Sequence, residues 1–167
     1  PYWANGKARG AEACAFVQSL RAEAARAQGK HAAAILWDAH KYYESFDLEW
    51  LAARFVSHGG PSPIAKLTMN HWHGPRVIRA GGHIHPVVYY AKKGLPAGSA
   101  WNEVMVKAYA AEAFDSFVVR NPHVTLASMV DDDSMAAFGT ESEVAEVLES
   151  AAKDMYKVFT EELGVHL

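Results

Sequence analysis

Three consecutive aspartates, Asp131 to Asp133, are the residues whose type and spacing most directly suggest chemistry. Adjacent carboxylates repel one another, so holding several side by side is unfavourable unless a cation neutralises them. Oxygen ligands suit a hard divalent ion such as Mg²⁺. The run therefore predicts part of a magnesium site, and a solvated acidic turn is the alternative interpretation.

The residues around these aspartates predict a β-hairpin. Val124 to Val130 are apolar, small or β-branched, as in a short buried strand, and Ser134 to Phe138 have the pattern of a second strand. Because aspartate tolerates turn conformations, the carboxylates are expected at the tip of the hairpin.

A second apolar run also ends in an aspartate. The segment His31 to Trp37 (HAAAILW) predicts a central strand, and Asp38 follows it directly. If this strand neighbours the hairpin, Asp38, Asp131 and Asp132 converge at one edge of a sheet. Three carboxylates can hold two divalent ions roughly 3.5–4 Å apart, an arrangement that supports in-line phosphoryl transfer. One ion activates the attacking hydroxyl and the other stabilises the leaving pyrophosphate.

The rest of the chain predicts helices and one further hairpin. Helix formers fill Ala11 to Gln28, with Phe16, Val17 and Leu20 as an expected buried stripe. Further helices are predicted from Asp47 to Ser57, from Ser62-Pro63 to before Gly74, from Ala100 to Phe117 and from Glu141 to Leu163, and Gly81-Gly82 predicts the hairpin turn. This order of elements predicts an α+β fold, a sheet with helices on one face.

The composition is that of one globular domain. The 167 residues are 50% hydrophobic and have a formal net charge of −3, which gives no global electrostatic argument for a nucleic-acid partner. The single cysteine, Cys14, excludes an internal disulfide and suits a reducing, intracellular compartment. No stretch reaches the length of a membrane span. The chain begins at Pro1 and is expected to be a segment of a longer protein.

Four segments, in order, resemble reverse transcriptases, most closely those of non-LTR retrotransposons and group II introns. WDAHKYYESF is similar to the first catalytic block of that family, KKGLPAGS to the block written GxPQGS, and SMVDDD to the YxDD box. The segment KARGAEACAFVQSLRAEAARAQGK stands where the family has a basic loop and a fingers helix. The resemblance covers nearly the whole chain and implies a right-hand polymerase palm, with an antiparallel sheet, plus part of the fingers.

The resemblance also implies roles for particular residues. Asp38, Asp131 and Asp132 would be catalytic and would bind Mg²⁺ or Mn²⁺, whereas Asp133 lies beyond the box and is expected to be solvated. Tyr43 would close the sugar pocket against a 2′-hydroxyl, with a core tyrosine as the alternative. The implied nucleotide-binding residues are Ala39, Tyr43, Ala97, Gly98, Lys7 and Arg9.

The implied activity is RNA-directed DNA polymerisation by two-metal nucleotidyl transfer onto a primer 3′-hydroxyl. The partners would be an RNA template, a DNA primer and deoxynucleoside triphosphates, within a retroelement polyprotein in the nucleus or cytoplasm. Residues 1–37 and 60–93 would be fingers-like and residues 38–59 and 94–167 palm-like. No thumb is recognisable, so the isolated segment is expected to polymerise poorly.

The chain departs from the family pattern at three positions. Ala97 replaces the usual glutamine of the second block, Met129 replaces the aromatic of the YxDD box, and Glu44 stands where aspartate is common. None of these changes removes an expected metal ligand, but the change at Ala97 removes an amide that helps to hold the nucleotide.

Two other functions stay open from the sequence. One is a degenerate, inactive polymerase-like module that binds nucleic acid. The other is a zinc protein, because alternate histidines on a strand point to one face and could bind the ion. The histidines concerned form two pairs, His71 with His73 and His83 with His85.

Overall fold

The computed structural model of the chain describes residues 10–96, 98–129, 132–165 and 167. Those residues form two compact units, one from within Pro1–His40 and Glu112–Leu167 and the other from within Lys41–Ala111. These bounds differ from the predicted fingers-like and palm-like segments, which remain predictions. No helix in the described part of the chain is long and apolar enough to cross a membrane.

The elements alternate between helices and strands along the chain. In order they are α1 (Ala11–Ala27), β1 (His31–Asp38), α2 (Tyr42–Ser45), α3 (Leu48–Ser57), α4 (Ser62–Trp72), β2 (Pro75–Ala80), β3 (His83–Tyr90), α5 (Asn102–Arg120), β4 (Thr125–Met129), β5 (Asp132–Gly139), α6 (Glu141–Lys157) and a π-helical turn (Val158–Glu162). The predicted mixed α+β class and both predicted hairpins are confirmed.

The first unit contains an antiparallel sheet of three described strands in the order β1-β5-β4. The central strand is β5, and its side chains from Met135 to Ala137 are all buried. The prediction that β1 is central is therefore wrong, because a short alanine-rich run fits the edge of a sheet as well as its middle. Its edge position still places Asp38 next to β5.

Helix α6 covers one face of this sheet. Thr140 and Glu143 form a capping box that starts the helix, and the buried side chains Val144, Leu148, Ala151 and Met155 recur at helical spacing. In the π-helical turn that follows, Phe159 contacts Trp37 of β1 with ring centroids 6.1 Å apart. The side chain of Trp37 therefore lies on the α6 face of the sheet.

Helix α1 lies against the opposite face, so the prediction of helices on one face is wrong. Its Gln18 Nε2 donates to Ser134 Oγ at 2.6 Å, and Ser134 alternates with the buried Met135 along β5. The predicted buried stripe is also wrong, since Phe16 is 68% and Leu20 52% exposed. The helix instead turns smaller or polar side chains inward, namely Cys14, Gln18, Ala22 and Ala25.

In the second unit, the start of α3 and the turn of the β2–β3 hairpin are determined by residues close together in the sequence. Asp47 caps α3, because its Oδ1 accepts from the amides of Glu49 and Trp50 at 3.0 and 3.1 Å. Strands β2 and β3 are joined by Gly81 and Gly82, with φ of 56° and 84°, as a two-residue turn of this kind requires. Every residue of both strands is exposed.

Candidate active site

Asp38 and Asp132 are direct cross-strand partners at the end of β1 and the start of β5. Both residues are exposed. Directly opposite residues of an antiparallel pair point to the same face, with Cβ atoms about 4.5–5.5 Å apart. The expectation that these two aspartates lie on adjacent strands is confirmed, and oxygen donors so placed fit a divalent cation.

Asp131 is the third predicted ligand and lies outside the described residues. Met129 of β4 pairs with Asp132 of β5. Within the described part of the chain, no group of three histidine, cysteine, aspartate or glutamate side chains could hold a metal ion. Lys7, Arg9 and Ala97 also lie outside the described residues, and their roles stay predictions.

Asp133 is buried, with 2% of its surface exposed, so its expected solvation in the hairpin is wrong. Strand β5 begins at Asp132, and successive side chains of a strand point to opposite faces. Asp133 therefore lies on the α6 face, opposite Trp37 of β1 and Ser128 of β4. The sequence signal that was missed is this alternation, which gives the neighbouring Asp132 and Asp133 different environments.

A cavity of about 270 Å³ lies beside Asp132 in the first unit. Its lining includes Cys14 and Gln18 of α1, Leu36 of β1 and Met129 of β4. Leu36 is 79% exposed and lies two residues before Asp38, on the same side of β1. The sheet face that presents the two paired aspartates is thus partly covered by α1 and partly open.

In the second unit, two segments quoted in the resemblance are held together by backbone hydrogen bonds. The amide of Leu95 donates to the carbonyl of Tyr43, and the amide of Gly94 donates to that of Phe46, both at 2.9 Å. Gly94 has a φ of 87°, and a Cβ there would lie 3.3 Å from the Cα of Glu44. A glycine is therefore needed where the KKGLPAGS segment meets the YYESF segment.

The other expected nucleotide-binding residues differ in their accessibility. Tyr43 is half-buried, whereas its neighbour Tyr42 is 3% exposed and packs edge-on against Phe46, so Tyr42 fits the description of a core tyrosine. Gly98 is exposed with a φ of 81°, and Ala39 is buried. Lys41 has a φ of 49°, which is a strained backbone conformation for a residue other than glycine. Backbone strain of this kind often occurs near functional sites.

The sequence also contains a basic segment that the net charge conceals. Residues 50–102 include six lysine and arginine residues and no aspartate or glutamate, although the whole chain has a charge of −3. Within this segment the exposed hairpin β2–β3 combines Arg76 and Arg79 with exposed Tyr89 and Tyr90. Counting charge in windows, rather than over the chain, would have revealed it.

The two histidine pairs of the zinc hypothesis differ in geometry. His71 lies in α4 and His73 at its C-terminal cap, so this pair is not on a strand. His73 Nδ1 is 2.9 Å from the carbonyl oxygen of Ala91, to which it donates. His83 and His85 do lie at alternate positions of β3.

Comparisons of the sequence with protein-family models and with curated proteins gave no match.

Proposed function

We propose that this chain is the catalytic part of an RNA-directed DNA polymerase of the retroelement type. The observation that supports the proposal most directly is the pairing of Asp38 with Asp132 on adjacent strands. The resemblance assigned metal-binding roles to these two residues, which are 94 positions apart in the sequence. Like charges directly opposite each other are destabilising in a sheet, and a divalent cation bound between them would relieve the repulsion.

The proposed chemistry is nucleotidyl transfer onto a primer 3′-hydroxyl. Asp38, Asp131 and Asp132 would hold two Mg²⁺ or Mn²⁺ ions. Bound there, the ions would supply an activated hydroxyl and charge neutralisation at the phosphates. The carboxylates themselves would provide hard oxygen donors, and the strand pairing would hold Asp38 and Asp132 in place with little reorganisation during the reaction.

Selection of the nucleotide is proposed for the second unit. Tyr43 would stand beside the sugar and exclude a 2′-hydroxyl, and the loop from Gly94 to Ser99 would border the base. The hydrogen bond from Leu95 to Tyr43 supports a common role, because it fixes the loop relative to the tyrosine. The basic segment 50–102 supports a polyanionic substrate, since six positive charges without an acidic residue attract phosphates.

The decisive experiment is primer extension by a longer protein. In it, Leu167 is followed by a thumb and by the conserved block that comes after the YxDD box in reverse transcriptases. We expect extension of a DNA primer on an RNA template with deoxynucleotides and Mg²⁺. Asp38→Ala and Asp132→Ala should each abolish extension, because each removes a metal ligand. The matched control is Glu149→Gln, which should retain activity. It replaces an exposed carboxylate of α6 that is paired with Lys153. Extension that survives Asp132→Ala would refute the proposal.

A second candidate is a module that binds nucleic acid without catalysis, and the basic segment favours it independently of the aspartates. This function predicts binding of single-stranded RNA or DNA in EDTA, with an affinity that falls steeply as salt rises. Fluorescence anisotropy with a labelled oligonucleotide measures it. Binding that is unchanged in Asp132→Ala, together with absent primer extension by the longer unmutated protein, would favour this function over the polymerase.

A further inference from the structure

Asn102, the first residue of α5, is only 7% exposed and holds the loop that precedes the helix. Its side-chain Nδ2 donates to the carbonyl oxygen of Pro96 at 2.8 Å. Its backbone amide donates to the carbonyl of Ser99 at 3.2 Å. One residue therefore fixes two positions of the segment from Gly94 to Ser99.

The loop has its other attachment at its beginning. There the amides of Gly94 and Leu95 donate to the carbonyls of Phe46 and Tyr43. Gly98, between the two attachments, is exposed, and among the described residues nothing lies within 4 Å of the position that its Cβ would take. The conformation at Gly98 thus depends on the two positions that Asn102 holds, Pro96 two residues before it and Ser99 directly after it.

The start of the helix does not explain why a carboxamide occupies this position. Asn102 is the first helical residue and does not cap the helix, because the residue before it, Trp101, accepts from the amide of Met105 at 3.0 Å. The Oδ1 atom of Asn102 is buried without a hydrogen-bond partner among the described residues, and burying an unmatched acceptor is unfavourable. A smaller side chain would avoid that burial, so the benefit of asparagine here is its Nδ2 bond to Pro96.

We propose that Asn102 is the positioning residue of the nucleotide-binding loop. The inference rests on the proposed function for the role of the loop. Asn102 touches no substrate. It holds the Pro96 carbonyl and thereby sets the position of the exposed backbone at Gly98, where the nucleotide is expected.

The first test measures the loop without any activity. Asn102→Ser removes the carboxamide and keeps a small polar side chain at the first helical position, and Asn102→Asp keeps the size but lacks the Nδ2 donor. The matched control is Asn121→Ser at the other end of α5, where Asn121 Nδ2 donates to the carbonyl of Phe117 at 3.0 Å. Hydrogen exchange of the chain is followed by mass spectrometry for peptides covering residues 94–101.

Loss of one hydrogen bond should raise exchange in the loop about fivefold in both Asn102 variants. Asn121→Ser should leave these peptides at the parent rate. Equal exchange in the parent and in either Asn102 variant that folds, as shown by its circular dichroism, would overturn the inference. If neither variant folds, Asn102 is required for the stability of the whole fold and not specifically for the loop. That result would also overturn the inference.

The second test separates positioning from catalysis. In the longer protein, Asn102→Ser should raise the KM for deoxynucleotides about fivefold and leave kcat nearly unchanged, because the reacting groups are intact. A fall in kcat at unchanged KM would contradict the inference. If the parent protein extends no primer, the proposed function fails, whereas the exchange measurement still decides whether Asn102 holds the loop.

Discussion

Asp38 of β1 and Asp132 of β5 face each other across adjacent antiparallel strands, and both are exposed on the same side of the sheet. Like charges placed directly opposite are destabilising in a sheet. The two carboxylates therefore repel each other in the metal-free protein, and a bound cation would reduce this repulsion. This relationship gives a test of the metal site that needs no enzymatic activity.

The unmutated chain is expected to melt at a higher temperature in millimolar Mn²⁺ or Mg²⁺. Binding to the folded state alone stabilises it by about 2.7 kcal/mol when the ion is at a hundredfold excess over its Kd. For a chain of this size that corresponds to a rise of about 5–10 °C in Tm. Differential scanning fluorimetry with and without the ion makes the measurement.

The control for this prediction compares carboxylates on two surfaces. Asp38→Asn and Asp132→Asn should reduce the dependence on Mn²⁺ and raise the Tm of the metal-free protein, because they remove the repulsion. Glu146→Gln on α6 should preserve the full response. A Tm of the unmutated chain that is insensitive to millimolar Mn²⁺ would count against a formed site.

The parts of the fold that the sequence predicts are those with a local signal. Asp47 before an apolar helical pattern predicts the start of α3, and Gly81-Gly82 predicts the hairpin turn. The prediction that Asp38 neighbours Asp132 goes further than local signals. It was based on two apolar runs that each end in aspartate, and the strand pairing, which such runs alone do not determine, agrees with it.

The failures concern which face a residue occupies. Asp133 was expected in solvent because the turn was assigned three aspartates, yet β5 begins at Asp132 and alternation buries the next side chain. For α1, large apolar residues were expected to face inward. The helix instead approaches the sheet through Cys14 and Gln18, and Phe16 stays exposed. Tertiary contacts decide such cases, and no pattern within one helix reveals them.

Asp154 gives a prediction for the pH dependence of stability in the first unit. Burial tends to raise the pKa of its carboxyl, but hydrogen bonds from Arg120 and Asn121 outweigh this and hold the pKa below its ordinary value of 3.8. A depressed pKa means that the stabilisation is present above the pKa of the unfolded chain and is lost as pH falls through the folded value.

We therefore expect Asp154→Asn to lower the Tm at pH 7 by about 2–4 °C, corresponding to about 1 kcal/mol for partly exposed charged hydrogen bonds. The difference from the parent should shrink as pH falls below about 4, since the parent carboxyl then becomes protonated. Melting curves at several pH values test this. Glu162→Gln, which alters the longer 3.5 Å contact to Arg120, should have a smaller effect. A gap between Asp154→Asn and the parent that stays constant with pH would exclude the ionised carboxylate as its cause.

Ala97→Gln should restore the amide that the resemblance leads us to expect in the nucleotide-binding loop. In the longer protein we expect the KM for deoxynucleotides to fall about fivefold, the value of one regained hydrogen bond, with kcat little changed. Steady-state primer extension at varied nucleotide concentration measures both constants. Ala100→Gln, in the same loop region but outside the block, is the matched control. An equal change of KM in both variants would show that position 97 has no special relation to the nucleotide.

Tyr43→Ala is expected to change which sugar the longer protein accepts while leaving the chemistry in place. The side chain is half-buried and its carbonyl is fixed by Leu95, so the ring has a defined position that alanine leaves empty. Incorporation of ribonucleotides should rise relative to deoxynucleotides by at least about tenfold, because a steric exclusion of 1–3 kcal/mol is removed. Single-nucleotide extension with each sugar measures the ratio. Tyr42→Ala is the contrasting variant, since Tyr42 is buried against Phe46 and its truncation should reduce stability without altering sugar choice. A Tyr43→Ala protein that rejects ribonucleotides as strongly as its parent would show that the aromatic wall of the sugar pocket is not at this position.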